Sequence, residues 1–477
     1  MFREKSLPKP LRSRWPHILL AILISIALSP SGVFLPLAEN LHAANRAASK
    51  GKWSVVLDRL ETAIHLEPAL WSTHLEAASL ALREEDAERA LLHLSDPLPL
   101  DSRIDCLQVQ AAIMTNDIQA AEQAWQRAGG SCEEKQDYYR ALTLHYWDQN
   151  DRATARSVLE EWIEIEEADP QPYLQLGILL AVTQPEEAIA PLRKAQQFSN
   201  ENVPLASALI RAIEDARETD IPAYTLASVG QALMQHAAWT PAIWAFEEAL
   251  VQDPEYTEAH AYLGLALDQS GGNGYTHLQT AISKEPENSL IYIFLAYHCQ
   301  MREKPKTAKI YLEAAAELDP ANPAISAELA QVFVDLGDLE AAKDAYKITV
   351  SLAPEDVHFW YLLAQFSIER GIELESLGLP AARNAWLLDQ DNVLGLVLLG
   401  NAHLMLGNIE LAERLLWRAV QIDPNYALAQ YYLGLLRHIQ GYPQRAQAAW
   451  EYALYLDPAG SIGELARRMI QSFQPSP

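Results

Sequence analysis

Cysteine is scarce in this chain. Three occur in 477 residues, Cys106, Cys132 and Cys299, and no two of them have the close spacing of metal ligands. Positive charge is also in deficit, with 36 Lys and Arg against 63 Asp and Glu. Five of the basic residues and one acidic residue lie in the first 38 positions, which leaves 31 basic and 62 acidic residues for the rest. Such a surface excludes nucleic acid as a partner, because phosphate recognition needs a basic face. No segment alternates apolar and polar residues over a useful length, so sheet is not expected. Catalytic motifs are missing too. There is no His-Glu-x-x-His, no Gly-x-Ser-x-Gly and no phosphate-binding glycine loop followed by lysine. Gly271-Gly272-Asn273-Gly274 is too short for such a loop and reads as a turn between helices. The acid pairs Glu160-Glu161, Glu166-Glu167 and Glu247-Glu248 are adjacent on helices and point apart, as a solvated face does. His403 and His438 are one repeat apart but lack a third ligand. No catalytic residue, cofactor or metal is expected.

What is present is a period. Asp253-Pro254, Glu285-Pro286, Asp319-Pro320, Ala353-Pro354, Asp389-Gln390, Asp423-Pro424 and Asp457-Pro458 follow one another at steps of 32, 34, 34, 36, 34 and 34 residues. Between them a second pattern recurs. Gly230 leads to Ala242, Phe246 and Ala249; Gly400 leads to Ala412, Leu416 and Ala419; Gly434 leads to Ala446, Trp450 and Ala453. Apolar residues three and four apart share one helical face. Small residues at fixed points let two helix backbones approach closely. Gly337, Gly407 and Gly441 stand where a first helix ends. The Asp-Pro pair is expected to close the second helix and open the next, with Asp as cap and Pro in the first turn.

This pattern resembles the tetratricopeptide repeat, a pair of antiparallel helices per unit. The resemblance covers nearly all of residues 37–458, with fainter copies before 222. It implies an all-α, right-handed superhelical solenoid of about twelve helix pairs plus a C-terminal capping helix. The expected organisation is a basic tail and signal anchor or signal peptide at 1–38, a divergent array at 39–199 and an irregular seam helix within 200–221. A regular array at 222–458 and a capping helix and tail at 459–477 complete it. Repeat stacks of this kind generally present surface rather than chemistry.

The N-terminus adds a location. Arg3, Lys5, Lys9, Arg12 and Arg14 precede an apolar run, Ile18–Leu28. An uncleaved anchor over 15–38 is the preferred reading, because the first repeat begins near Leu37. The alternative is a signal peptide cleaved near Ser29 and Ser31, followed by secretion. In both, the basic flank keeps the N-terminus cytoplasmic and the repeats lie outside the cytoplasmic membrane. Cys106 and Cys132 sit at neighbouring places of one helical hairpin and form a candidate disulfide in such a compartment. Cys299 faces inward as an apolar filler.

In tetratricopeptide arrays the first helices line a concave groove that holds partner peptides. Counting two and three residues before, and one after, each small residue of the first helix, the aromatic members are Tyr262, Phe294, Tyr297, Tyr361, Tyr431 and Tyr432. The Lys, Arg and Asn clamp of chaperone-binding relatives is missing, and so is the Asn ladder of sugar-transferring relatives. The expectation is a non-catalytic scaffold for other proteins, gathering an apolar or aromatic-containing segment in support of envelope, surface-polymer or secretion assembly. A binding module for a glycan or small ligand in the same aromatic groove is the alternative. The sequence sets neither the oligomeric state nor the partner.

Overall fold

The computed structural model describes residues 34–95, 101–133, 135–199 and 203–473. The basic tail and most of the expected anchor, residues 1–33, lie outside the described residues. Among the described residues no helix is long and apolar enough to cross a membrane.

The described chain is all helical, in two compact units, 1–213 and 214–477. The first holds five hairpins: α1 (Phe34–Ala48) with α2 (Trp53–Leu66), α3 (Trp71–Arg83) with α4 (Ala87–Leu94), α5 (Ser102–Met114) with α6 (Ile118–Arg127), α7 (Lys135–Asp148) with α8 (Arg152–Ile165), and α9 (Pro170–Ala181) with α10 (Pro185–Phe198). The single helix α11 (Pro204–Ala216) follows. The second unit holds seven hairpins: α12 (Pro222–Gln235) with α13 (Trp239–Gln252), α14 (Thr257–Gln269) with α15 (Tyr275–Lys284), α16 (Ser289–Met301) with α17 (Pro305–Leu318), α18 (Pro323–Leu336) with α19 (Leu339–Leu352), α20 (Val357–Arg370) with α21 (Leu379–Leu388), α22 (Leu394–Met405) with α23 (Ile409–Ile422), and α24 (Ala427–Ile439) with α25 (Pro443–Leu456). Helix α26 (Ser461–Phe473) closes the stack by burying Ala466 against Trp450 and Ala453. Its Arg467 and Arg468 pair with Glu464.

Two local devices recur in the hairpins. The first is a left-handed residue after the first helix, which turns the chain within a few residues. It recurs as Gly51, Glu85, Asn116 and Asn150 in the first unit and as Ala237, Gly271, Glu303, Gly337, Gly371, Gly407 and Gly441 in the second. An Asp often follows and caps the second helix: Asp86, Asp117, Asp151 and Asp338 each accept a backbone N–H three residues on. The second device is the close helix crossing. A Cβ on Gly230 would lie 2.6 Å from the Phe246 ring, and one on Gly434 would lie 2.4 Å from Trp450. These sites accept nothing larger without displacement.

The Asp-Pro landmarks work differently from the expectation. Asp253 caps the C-terminus of α13 and accepts the Glu255 N–H, and Asp423 accepts that of Asn425. The next helix starts some residues later under its own cap, as with Asn288, Asn322 and Asp356. The landmark proline therefore lies in the inter-repeat turn rather than in a helix's first turn. Its carbonyl is an exposed acceptor that a side chain six residues on often reaches. His74 meets Pro68 O, His260 meets Pro254 O, Trp360 donates to Pro354 O and Gln430 to Pro424 O, at 2.7–3.2 Å.

Both irregular steps of the period have a structural counterpart. In the short unit the backbone of Gly274 is packed on that of Gly264, so that a Cβ there would lie 1.8 Å from the Gly264 carbonyl oxygen. Asp268, buried beside this turn, accepts the Gly274 N–H at 3.0 Å, His298 Nδ1–H at 2.8 Å and Arg302 Nη1–H at 3.1 Å. Arg302 Nη2 also donates to the Gly272 carbonyl at 2.9 Å. In the long unit the two extra residues are taken up by a π-helical turn, Leu374–Gly378, with Lys343 donating to Glu373 at 3.0 Å in front of it.

Candidate interaction grooves

The aromatic positions of the second unit separate into two groups. Phe294 and Tyr361 are buried, each 8% exposed, and belong to the packed interior. This corrects their expected role as groove surface. The physical reason is that the helices pack closely enough for a ring at these positions to fill the space between neighbouring hairpins. The Tyr361 hydroxyl lies towards the Gly395 backbone without a properly formed hydrogen bond, and burial pushes its pKa up to about 12. Tyr262, Tyr297, Tyr431 and Tyr432 are half-buried. Tyr262 stacks on Phe246 with ring centroids 5.9 Å apart and meets Phe294 edge-on at 5.3 Å. Tyr431 and Tyr432 meet edge-to-face at 5.3 Å. Burial raises the pKa of Tyr262 and Tyr431, and that of Tyr432 to about 12. Among them Glu328 contributes a half-buried carboxyl whose pKa is raised by burial, against a hydrogen bond from Gln300.

A largely apolar concavity lies in the first unit. A pocket of about 450 Å³ opens between α1, α3 and α5, floored by α2. Trp53, Leu75, Leu80 and Leu107 give it apolar walls, and Glu76 and Gln110 add polar points. Arg83 stands at its rim with its guanidinium 4.9 Å from the Trp53 ring centre. Cys106 on α5 and Cys132 in the connector after α6 are bonded to each other and form part of the wall. The bond ties that connector to the groove-lining helix. Leu75, Glu76 and Ser79 stand three before, two before and one after the small residue Ala78, while Cys106, Leu107 and Gln110 stand likewise around Val109. These are the groove positions already counted in the second unit. The same register, carried into the fainter repeats, names the pocket's residues, although Val109 departs there from the small-residue rule.

The histidines weighed from sequence are not brought into a ligand set. His403 faces Asn408 at 3.3 Å, and His438 packs near the Trp450 ring. Among the described residues no group of three or more His, Cys, Asp or Glu is placed to hold a metal ion. Cys299 is buried among Ala296, Ala308 and Leu312.

Known proteins add the following. No curated protein matches the chain. Among solved structures it is similar to YrrB, described as a tetratricopeptide protein with an unusual peptide-binding site, at 19% identity over 40% of this chain and 97% of that one, TM-score 0.31. It is similar to yeast Tom70 at 14% identity over 91% and 95% of the two chains, TM-score 0.41. It is also similar to the Cut9–Hcn1 hetero-tetramer of the APC/C, at 13% identity over 96% and 99%, TM-score 0.29. Residues 300–366 match the family model of the tetratricopeptide repeat. That stretch is accordingly a run of tetratricopeptide repeats, set in a chain whose other described hairpins follow the same helix–turn–helix plan.

Proposed function

We propose that this chain is a non-catalytic protein-interaction scaffold, tethered to or exported across the cytoplasmic membrane, that takes up an apolar segment of a partner protein during assembly of an envelope, surface-polymer or secretion complex. The observation that carries the binding part is the pocket between α1, α3 and α5, which is lined by the register positions at which tetratricopeptide arrays present side chains to partners. Its walls offer apolar area with few polar points, which suits a buried aliphatic or aromatic anchor rather than a charged terminus. The half-buried tyrosines of the second unit offer amphipathic contact area of the same kind. The location rests on the basic-then-apolar start of the sequence and is supported by the Cys106–Cys132 bond, which suits an oxidising compartment.

A photo-crosslinking residue at Leu107, with Tyr431 as a second position, tests the binding. Both should capture the same partner in intact cells, and Trp53→Ala with Leu75→Ala should abolish capture at Leu107 while helicity is kept. Unchanged capture in that double variant overturns the pocket's role. Binding of soluble glycans seen as tyrosine or tryptophan fluorescence change, without protein capture, would move the assignment to a ligand-binding module. A C-terminal phosphatase fusion, active only outside the cytoplasm, tests sidedness; an inactive fusion that is fully expressed removes the location.

A further inference from the structure

Helices α14 and α15 bring two histidines face to face. His260 Nδ1 and His277 Nδ1 lie 3.1 Å apart, with ring centroids 5.4 Å apart and 30° between the ring planes. The other nitrogen of His260, Nε2, faces the Pro254 carbonyl oxygen at 3.2 Å. A carbonyl only accepts, so Nε2 carries the proton, and in the neutral ring Nδ1 is left with its lone pair. We propose that His260 and His277 form a two-histidine site for a late first-row divalent cation, Zn²⁺, Ni²⁺ or Cu²⁺, bridging the two helices of this hairpin.

Three features point to a cation in addition to a plain hydrogen bond. The separation fits: a metal roughly 2.05 Å from both nitrogens would subtend an angle of roughly 98°, between the square-planar and tetrahedral values. The outer nitrogen of His260 is held by a backbone carbonyl, the arrangement that fixes tautomer and ring orientation in histidine ligands. Both rings are half-buried; once the His277 proton moves from Nδ1 to Nε2, each ring has an Nδ1 lone pair for one ion, and open coordination positions remain for water or a partner's ligand. Imidazole nitrogen suits these cations and not magnesium or calcium. The location gives the site a consequence. This is the hairpin with the short turn, and α15 has only 10 residues. A bridging ion would tie α15 to α14 where the second helix is short.

The test uses the full-length, untagged chain, stripped of metal. The cysteines compete little, since Cys106 and Cys132 are bonded and Cys299 is buried. His260→Gln is a clean variant, because Gln430 makes the same side-chain bond to the Pro424 carbonyl in another repeat. His277→Ala is the second. Zinc titration by calorimetry should show one site in the wild type, with a higher melting temperature on addition of zinc, and both effects should be lost in each variant. Cu²⁺ should give an electron paramagnetic resonance spectrum with two nitrogen donors in the wild type and fewer in each variant. His403→Ala should leave all of these unchanged. No zinc site in the wild type, or the same stoichiometry and affinity in a folded His277→Ala protein, overturns the proposal and leaves a hydrogen-bonded pair only.

Discussion

The two units build the same hairpin from different residues at its two tightest points. At the left-handed turn the second unit uses glycine at five of seven places, whereas the first uses Glu85, Asn116 and Asn150 beside the single Gly51. At the helix crossing the second unit has only glycine or alanine, namely Gly230, Gly264, Ala296, Ala330, Ala364, Gly400 and Gly434. The first has Val109 and Thr143 among its five. Thr143 is tolerated because its hydroxyl donates to the Tyr139 carbonyl one turn back, at 2.7 Å. The first unit compensates elsewhere, with Asp caps directly after its left-handed residues and with a covalent bond across one connector. A repeat fold therefore constrains backbone geometry more strongly than residue identity. The period is loud where glycine and alanine meet that geometry and faint where caps and a disulfide do.

Breaking the Asp268 cluster should have the largest effect and should fall on the second unit. Asp268→Ala leaves the buried His298 and the Gly274 N–H without their acceptor, and a cost of about 3–5 kcal/mol is expected. Hydrogen exchange should report the loss in α14, α15 and α16; equal loss in the helices of the first unit would mean the two units unfold together. The matching test of the first unit is Cys106→Ser under oxidising conditions. A bond across a sequence separation of 26 residues contributes roughly 3–4 kcal/mol by restricting the unfolded chain. The loss should be confined to the first unit and should be reproduced by reductant on the wild type.

Gly434→Val probes the crossing rule, since its Cβ meets the Trp450 ring at 2.4 Å. A destabilisation of roughly 1–3 kcal/mol in chemical denaturation is expected, and more if Trp450 cannot move. The reverse change at the turn should help. Ala237 holds φ 55°, so Ala237→Gly should gain about 1 kcal/mol by relieving the left-handed strain, less the entropy glycine adds to the unfolded chain. No gain there would show that the turn rule does not separate the two units. The smallest effect is expected of Tyr361→Phe, which removes a buried hydroxyl without a proper partner. Its stability should stay within about 1 kcal/mol of wild type, on the favourable side. A large loss would show that the Tyr361 hydroxyl has a polar partner.

The architecture was legible from spacing. The Asp-Pro landmarks, the glycines after first helices and the small residues at crossings each mark a backbone constraint, and such constraints repeat with the hairpin. The groove was legible only in part. Counting along one helix puts Phe294 and Tyr361 on the same face as Tyr297 and Tyr431, because helical periodicity fixes direction but not depth. How far a side chain stands from its neighbours depends on how closely the next hairpin packs, and that is a property of the assembled stack.

The sequence by itself determined that this chain is helical, that its helices pair at a period of 34 residues and that two steps depart from that period. Local rules account for this: a helix needs one apolar face, most turns use a left-handed residue, and most close crossings use glycine or alanine. Tertiary structure alone decided which rings are core and which are surface, that an apolar concavity forms among the fainter repeats, and that His260 meets His277. Each of these depends on residues from different helices arriving at one point, which only the packed chain brings together.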